Sequence, residues 1–441
     1  SAGDHFGTSV ACAGDLNSDG FGDIIVGAFL NDAGGEDAGR VYIFFGGASM
    51  DGIADLVLTG QAAGDQFGLS VSTAGDINTD GFDDVIVGAY QNDGGGSNAG
   101  RAYIYFGGTN MDNLPDVVLT GESAGDQFGI RVAWAGDVNG DTYDDVIVGA
   151  DRADVENRFD VGKAYIFFGG PNIAGRDAGQ ADVILEGATD DEAFASVAGA
   201  GDLDNDGYSD VVVGASAFTA GSGTEICNDF RDNDNDGLVD RQDPDCYLGQ
   251  VYVFRGGPGL TGTISVATAA SSTLFKLNRP VNADGFGFSV ATGGDVNGDG
   301  FSDLLVGAFL SDKTVGGVTD AGRAYLYLGG SPMNTTPDVS FEGEASPGVP
   351  PIFIPLSGQF GFSLAGAGDL NGDGISDIIM GAYLYDKGFL GQETDVGRVY
   401  IFLGPISSPP TSIATAAADR IITGSEGAPL GPDSGFGVSV Q

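Results

Sequence analysis

The feature that most constrains the fold is a sequence unit that recurs along nearly the whole chain. The unit reads FGxSVxxAGDxNxDGxxDxxVGA, followed by a polar loop, an AGRxYIFFGG segment and a DxVLTG segment. Self-similarity at a regular period indicates stacked units, each of which buries its faces only against its neighbours. The first residues of the six complete units are Phe6, Phe67, Phe128, Phe194, Phe286 and Phe360.

Each unit contains four short runs with the composition of β-strands. In the first unit these are residues 6–11, 23–28, 40–45 and 55–59, rich in β-branched and aromatic residues and bounded by Gly and Asp. Antiparallel four-stranded sheets repeated around an axis form a β-propeller, which leaves only short strand edges exposed. The sequence therefore predicts an all-β fold: a β-propeller of four-stranded antiparallel blades, with six complete repeats plus the first strand of a seventh.

The repeats predict a single propeller domain over residues 1–441. Unit four is lengthened by an insertion at 219–249. The last unit is incomplete and begins GFGVSV at 435–440. The units are expected at about 1–61, 62–122, 123–188, 189–280, 281–345 and 346–425, with a partial unit at 426–441.

The incomplete unit leaves three arrangements open. The chain continues and completes seven blades, the six units close alone, or the last strand inserts into a neighbouring subunit. Strand addition satisfies backbone donors and acceptors along a whole sheet edge, so the third arrangement would produce polymers.

Each unit also carries an acidic turn, D-x-[DN]-x-D-G-x-x-x-D, between its first two predicted strands. In unit one, Asp15, Asn17 and Asp19 offer side-chain oxygens at positions 1, 3 and 5. Phe21 offers its backbone carbonyl at position 7, and Asp23 closes the site at position 9. Calcium accepts many oxygen ligands in flexible geometry, whereas zinc prefers the His or Cys that these turns lack. The six turns therefore predict six calcium sites.

The ligand sets of the other five turns have the same spacing. Position 6 is Gly in five turns and Thr142 in the third, so the third site is predicted to be the most strained and to bind calcium most weakly. The predicted ligands are Asp76, Asn78, Asp80, Phe82 and Asp84; Asp137, Asn139, Asp141, Tyr143 and Asp145; Asp202, Asp204, Asp206, Tyr208 and Asp210; Asp295, Asn297, Asp299, Phe301 and Asp303; and Asp369, Asn371, Asp373, Ile375 and Asp377.

The FG pair, the Asp motif, the GA pair and the AGR-aromatic strand recur in this order over nearly the whole chain. In this they resemble the FG-GAP repeats of integrin α-subunit propellers. The resemblance implies a seven-bladed propeller with calcium in the loop joining the first and second strands of certain blades. Nothing in the sequence resembles the integrin stalk or transmembrane segment, so the likeness concerns the module and its fold.

A second acidic motif lies inside the insertion of unit four, within CNDFRDNDNDGLVDRQDPDC. Asp232, Asp234, Asp236 and Asp240 repeat the spacing of the blade turns, which predicts a seventh calcium site. The alternative is an acidic loop without metal.

The three cysteines are predicted to differ in role. Cys227 and Cys246 bracket the inserted motif and are predicted to form a disulfide, which suits an oxidising extracellular setting. The bracketed motif resembles the Asp-rich metal-binding motif of many bacterial surface proteins. Cys12 lies in an apolar run and is expected to be a buried small residue.

The net charge and the absence of a nucleophile motif limit the classes of function that the chain can have. The chain has 63 acidic and 17 basic residues, a formal net charge of −46, which disfavours nucleic acid and anionic membranes as partners. His5 is the one histidine, and no nucleophile motif stands out, so we expect no enzyme.

The leading hypothesis is a secreted, calcium-binding propeller that acts in adhesion, scaffolding or self-assembly. Its expected partner is a protein or glycan at the cell surface, with self-association through the strand 435–441 as a filament-forming version. The alternatives are a lectin-like, glycan-binding propeller and a polysaccharide-active enzyme, since two suitably separated carboxylates could serve as an acid pair.

Overall fold

The computed structural model describes residues 3–48, 50–216, 249–280, 285–311, 321–344, 358–382, 397–406 and 411–423. Within these residues the chain is all-β, with six small sheets placed around a shared axis as a six-bladed β-propeller. The predicted fold class is confirmed for the six complete repeats. Six sheets, not seven, are found among the described residues. The segment 435–440 and the inserted motif at 227–246 lie outside these residues.

The strands of each blade follow one another from the axis outward. Blades one to three contain β1 (Phe6–Gly14), β2 (Asp23–Ala28), β3 (Arg40–Phe44), β4 (Leu56–Thr59); β5 (Val71–Gly75), β6 (Asp84–Ala89), β7 (Arg101–Tyr105), β8 (Val117–Thr120); β9 (Arg131–Gly136), β10 (Asp145–Ala150), β11 (Lys163–Phe167) and β13 (Val183–Glu186). Blades four to six contain β14 (Phe194–Gly201), β15 (Asp210–Ala215), β16 (Gln250–Phe254), β18 (Leu274–Lys276); β19 (Phe286–Gly294), β20 (Asp303–Ala308), β21 (Arg323–Tyr327), β22 (Val339–Glu342); β23 (Phe360–Gly368), β24 (Asp377–Ala382), β25 (Arg398–Phe402) and β27 (Arg420–Thr423).

Three blades depart from the predicted four antiparallel strands because they gain a fifth, parallel strand. The added strands are β12 (Arg176–Asp177), β17 (Gly262–Ser265) and β26 (Thr411–Ala414), which pair with β8, β13 and β22. Each belongs to the connection before the last strand of the following unit, so it ties that unit to the outer edge of the preceding blade. Two 3-10 turns, Ala178–Gln180 and Thr415–Ala417, follow β12 and β26.

The hydrophobic core is divided among the joints between adjacent blades. At the first joint, Leu16 and Ile43 of blade one pack in one buried cluster with Phe67 and Tyr103 of blade two. Five clusters of this kind connect blades one to six in order. The blades approach so closely that an added Cβ at Gly27 would lie 1.9 Å from a backbone oxygen of the next blade, which explains the glycine of the recurrent VGA segment.

The first strands of all six blades surround an axial cavity of about 560 Å³. Cys12 lies on this cavity and is exposed, so the expectation that it is buried is wrong. Neighbouring side chains point to opposite sides of a strand, and in β1 Ala11 is buried in the cluster shared with blade two while Cys12 is exposed. No helix in the described part of the chain has the length and hydropathy needed to cross a membrane.

Candidate metal centres

The six predicted acidic turns lie at the same edge of the propeller, between the first and second strands of their blades. In blade one, β1 ends at Gly14 and the turn begins at Asp15. The position-9 aspartate is always the first residue of the second strand, as Asp23 is of β2 and Asp84 of β6. The strand boundaries therefore place both ends of every predicted ligand set on rigid backbone.

In each turn, backbone N–H groups of later residues donate hydrogen bonds to the side chain of the first aspartate, which fixes the turn in a compact conformation. In blade two, Asp76 accepts backbone N–H bonds from Asp80 and Gly81, both at 3.0 Å. Asn78 accepts a second bond from the Asp80 N–H at 2.8 Å. Bonds from positions 5 and 6 to the first aspartate recur in all six turns, at Asp15, Asp76, Asp137, Asp202, Asp295 and Asp369.

The position-9 aspartates are buried and hold the turn against the blade. Asp84 accepts the Ile77 N–H at 3.0 Å through Oδ2 and the Gly107 N–H at 2.8 Å through Oδ1. The first bond closes the turn, and the second ties it to the connection that follows the third strand. The same pair of bonds is made by Asp23, Asp84, Asp145, Asp210, Asp303 and Asp377, all at most 1% exposed.

Burial raises the pKa of the position-9 carboxyl groups of Asp23, Asp84, Asp145, Asp210 and Asp303. Desolvation, partly offset by the two N–H bonds, raises the pKa of Asp84 to about 8 and those of Asp145, Asp210 and Asp303 to about 7. The carboxylates at positions 1 and 5 of the second, third and fifth turns, and at positions 3 and 5 of the fourth, raise these pKa values further. A bound divalent cation would favour the ionised form, because its charge opposes the desolvation penalty.

Blade four contains the tightest carboxylate group. Side-chain oxygens of Asp202, Asp204 and Asp210 lie within 4.8 Å of one another. Asp204 Oδ1 is buried and has no hydrogen-bond partner in the protein, while its Oδ2 lies 3.1 Å from Arg255 Nε. Converging carboxylate oxygens, one of them unpaired, fit a hard cation such as calcium. The other turns have an asparagine in place of Asp204, which supplies one oxygen without a charge.

The role of Arg255 was missed at the sequence level. It directly follows β16, in a segment that reads FRGG where blades one to three read FFGG or YFGG. The replacement of an aromatic residue by arginine, in the one blade whose turn has an aspartate at position 3, is a signal that could have identified the pair. Arg255 offsets the additional charge of Asp204, so the predicted ligands of this turn together with Arg255 have the same net charge as the predicted ligands of each other blade turn.

The third turn carries the strain that its sequence predicts. Thr142 adopts a φ of 77°, in the left-handed region that the glycines at the same position occupy, for example Gly81 at 92°. A β-branched residue is disfavoured there because of its Cβ atom. The low calcium affinity expected of this site stays a prediction.

Other parts of the predicted ligand set also stay predictions. At position 7, the backbone N–H of Phe21 donates to Asp19 Oδ1 at 3.0 Å, which shapes the turn without testing whether the Phe21 carbonyl binds metal. The inserted set Asp232, Asp234, Asp236 and Asp240, and the cysteine pair beside it, lie outside the described residues.

The turns also connect each blade to the next. The backbone oxygen of Leu16, at position 2, accepts the N–H of Gly108 from blade two at 2.7 Å. Equivalent bonds of 2.7–2.8 Å reach Ile77, Val138, Leu203 and Val296. These five position-2 side chains are at most 1% exposed. Whatever rigidifies a turn therefore also rigidifies a joint between blades.

Comparison with known proteins agrees with this architecture. Five segments match the FG-GAP repeat family, each running from the first to the third strand of a blade: residues 6–44, 67–105, 128–167, 286–327 and 360–402. The fourth blade lies outside the matched segments, although its strands and turn have the same order.

Curated relatives that match the chain include integrin α subunits. Integrin alpha-5 of Xenopus laevis is 37% identical over 156 residues, which are 33% of this chain and 15% of that protein. Integrin alpha-6 of Gallus gallus is 42% identical over 149 residues, 33% of this chain and 13% of that protein. Integrin alpha-PS2 of Drosophila melanogaster is 35% identical over 195 residues, 42% of this chain and 12% of that protein. The matches thus span a small part of each relative.

Proposed function

This chain carries FG-GAP repeats in an integrin α-like β-propeller, and from this we propose that it is an extracellular calcium-binding module that acts in adhesion, scaffolding or assembly. Integrin α-like FG-GAP propellers are typically calcium-binding and adhesion-related, and they are generally non-enzymatic. We extend these properties to this chain, as one propeller domain over residues 1–441. Its partner is a protein or glycan at a cell surface.

The observation that carries the proposal is the sixfold recurrence of one oxygen-lined turn. Each turn presents side-chain oxygens at positions 1, 3, 5 and 9, and the buried position-9 carboxylate is fixed by two backbone N–H bonds. A calcium ion in each turn would supply positive charge to carboxylates that otherwise repel one another. The inserted motif at 232–240, with its cysteine bracket, is proposed as a seventh site.

Calorimetric titration of calcium into the chelator-stripped chain tests the metal part of the proposal. We expect at least six sites, and Asp84→Asn is expected to remove one of them. Asp112→Asn is the matched control, because Asp112 is exposed, carries the same charge and lies in a turn without the ligand spacing. A stoichiometry below two, or equal loss of calcium in both variants, would contradict the proposal.

Aggregation of beads coated with the purified chain tests the adhesive part. We expect calcium to promote bead clustering and a chelator to reverse it, with sedimentation velocity showing whether the free chain self-associates. Beads that stay dispersed with calcium, with and without added cell-surface extract, would argue against an adhesive or scaffolding role.

A glycan-binding role is the second candidate, and the axial cavity favours it. Trp134 is 36% exposed on the wall of this cavity, where an aromatic ring could stack on a sugar face. A glycan array probed with the wild-type chain and with Trp134→Ala tests this role. Binding that depends on Trp134 would support it, and an empty array would remove it.

A further inference from the structure

Three of the six acidic turns contain an Asn–Gly pair at positions 3 and 4, and the sequence contains no other Asn–Gly pair. The first two turns have Ser18 and Thr79 after the asparagine, and the fourth has Asp204 followed by Asn205. The turns therefore differ at the bond between positions 3 and 4, although their predicted ligands have the same spacing. The three pairs are Asn139–Gly140, Asn297–Gly298 and Asn371–Gly372.

The backbone of position 4 is left-handed in every turn, which explains the three glycines. Ser18, Thr79 and Asn205 adopt φ values of 55–59°, and the glycines of the third, fifth and sixth turns adopt values of 78–82°. A Cβ atom is disfavoured in this region, so glycine removes strain. The backbone N–H of each glycine also donates to Oδ1 of the first aspartate, at 2.7 Å in the third and fifth turns and at 2.6 Å in the sixth.

An asparagine followed by glycine loses its side-chain amide more readily than one followed by a larger residue, because glycine has no Cβ atom to hinder the reaction. The glycine nitrogen attacks Cγ of the asparagine, and a bond from this nitrogen to Cγ forms while the bond from Cγ to Nδ2 breaks. The glycine nitrogen gives up its proton, and Nδ2 leaves as ammonia. Water then opens the resulting cyclic imide at either carbonyl, which produces aspartate or isoaspartate.

In the folded turn, both reacting groups are bound to other partners. In the third turn, the Gly140 N–H donates to Asp137 Oδ1 at 2.7 Å. Asn139 accepts the Asp141 N–H at 2.8 Å and donates from Nδ2 to Asp141 Oδ2 at 3.0 Å. The fifth turn repeats these three bonds. Loss of the amide therefore requires the turn to open locally and release these bonds.

We propose that Asn139, Asn297 and Asn371 are modification sites, at which the side-chain amide is lost when the turn opens, and that bound calcium slows this loss. The second part rests on the calcium-binding function proposed above. Each asparagine supplies the position-3 oxygen of its predicted site, so an ion that holds this oxygen also keeps the turn closed. In the metal-free turn, the neighbouring carboxylates repel one another and favour opening.

The two products change the turn in different ways. Isoaspartate lengthens the backbone between positions 3 and 4 by one CH2 group, which shifts position 5 relative to position 1 and weakens calcium binding. Aspartate keeps the backbone and adds a charge at position 3, as Asp204 does in the fourth turn, where Arg255 lies 3.1 Å away. The added charge has no basic partner of this kind in blades three, five and six, where the residues corresponding to Arg255 are Phe168, Leu328 and Leu403.

Mass spectrometry of the full chain tests the three sites. The chain is kept at mildly alkaline pH with calcium or with a chelator, and peptide mapping measures the loss of amide at each blade-turn asparagine. With chelator, we expect Asn139, Asn297 and Asn371 to react at least tenfold faster than Asn17 and Asn78. Calcium is expected to slow the three reactions at least fivefold. Equal rates at all five asparagines would overturn the modification sites.

Two variants exchange the chemistry between turns. Gly372→Ser gives the sixth turn the pair found in the first, and an added Cβ at Gly372 meets no atom within 4 Å. We expect the loss of amide at Asn371 to slow at least tenfold, while Asn297 reacts as before. Thr79→Gly creates a new pair in the second turn and is expected to make Asn78 react as fast as Asn297. An unchanged rate at either altered asparagine would contradict the proposal.

Calcium titration of the same samples separates this proposal from the proposed function. Bound calcium that leaves the three rates unchanged would overturn the protection of the turns. A chain that binds no calcium, but still loses amide first at the three Asn–Gly pairs, would contradict the calcium-binding function and support the modification sites.

Discussion

The first and sixth acidic turns have the same ligand spacing but different surroundings. Leu16 is buried under blade two, and its backbone oxygen accepts a bond from that blade. Leu370 occupies the same position in blade six and is 54% exposed, and among the described residues no such bond reaches it from blade one. The difference shows that the turn builds its own geometry locally, whereas its contribution to the ring depends on the neighbouring blade.

The largest difference in stability is expected between two FG phenylalanines, one within a closed joint and one on the exposed face of blade one. Phe67 is 1% exposed within the first joint, so Phe67→Ala should lower the free energy of unfolding by about 3–5 kcal/mol. Phe6 is 58% exposed, so Phe6→Ala should cost less than about 1 kcal/mol. Urea denaturation of both variants in calcium measures the two losses of stability. Equal losses would show that the surroundings of Phe6 are packed as tightly as a joint.

A matched pair of leucine variants should show a smaller difference in the free energy of unfolding, again with the larger loss at the buried residue. Leu16→Ala removes a buried side chain and should cost about 2–4 kcal/mol, while Leu370→Ala should cost less than about 0.5 kcal/mol. Thermal unfolding at fixed calcium gives the comparison. If Leu370→Ala proved the more damaging variant, the contrast between the buried first turn and the exposed sixth turn would have to be abandoned.

The third turn should respond to relief of strain. Thr142→Gly replaces a β-branched residue at a φ of 77° by the residue found in the other turns, and it should stabilise the chain by about 1 kcal/mol. The control Thr79→Gly replaces a threonine at a φ of 55° outside position 6. If calcium affinity improves no more for Thr142→Gly than for this control, strain at position 6 does not weaken the third site.

The smallest expected effect is the release of protons from the buried aspartates when calcium binds. The ordinary pKa of 3.8 applies to Asp84 in the unfolded chain, whereas burial raises it to about 8 in the metal-free fold. The metal-free fold therefore keeps protons that the unfolded chain loses, and its free energy of unfolding falls as pH rises through this window. Calcium must expel these protons, so the binding enthalpy near pH 6 should depend on the ionisation enthalpy of the buffer. Identical enthalpies in two buffers would contradict the raised pKa.

The sequence predicts the parts of the molecule that depend on local patterns. The blade strands follow from β-branched and aromatic runs, and the turns follow from oxygens at fixed spacing, with Asp23 and Asp84 starting strands as expected. The parallel strands β12, β17 and β26 were not predicted, because a short strand is specified by the edge it meets rather than by its own residues. The pairing of Arg255 with Asp204 and the exposure of Cys12 also depend on contacts between distant segments.

The central claim is that calcium held in one blade stiffens the contact with the next. Hydrogen exchange at the Gly108 amide measures this directly, because this N–H belongs to blade two but donates to Leu16 in the turn of blade one. We predict that chelation speeds exchange at Gly108 by at least tenfold, together with exchange in the turn itself. Exchange at Gly108 that is unchanged by chelation, while the turn loses its calcium, would contradict the claim.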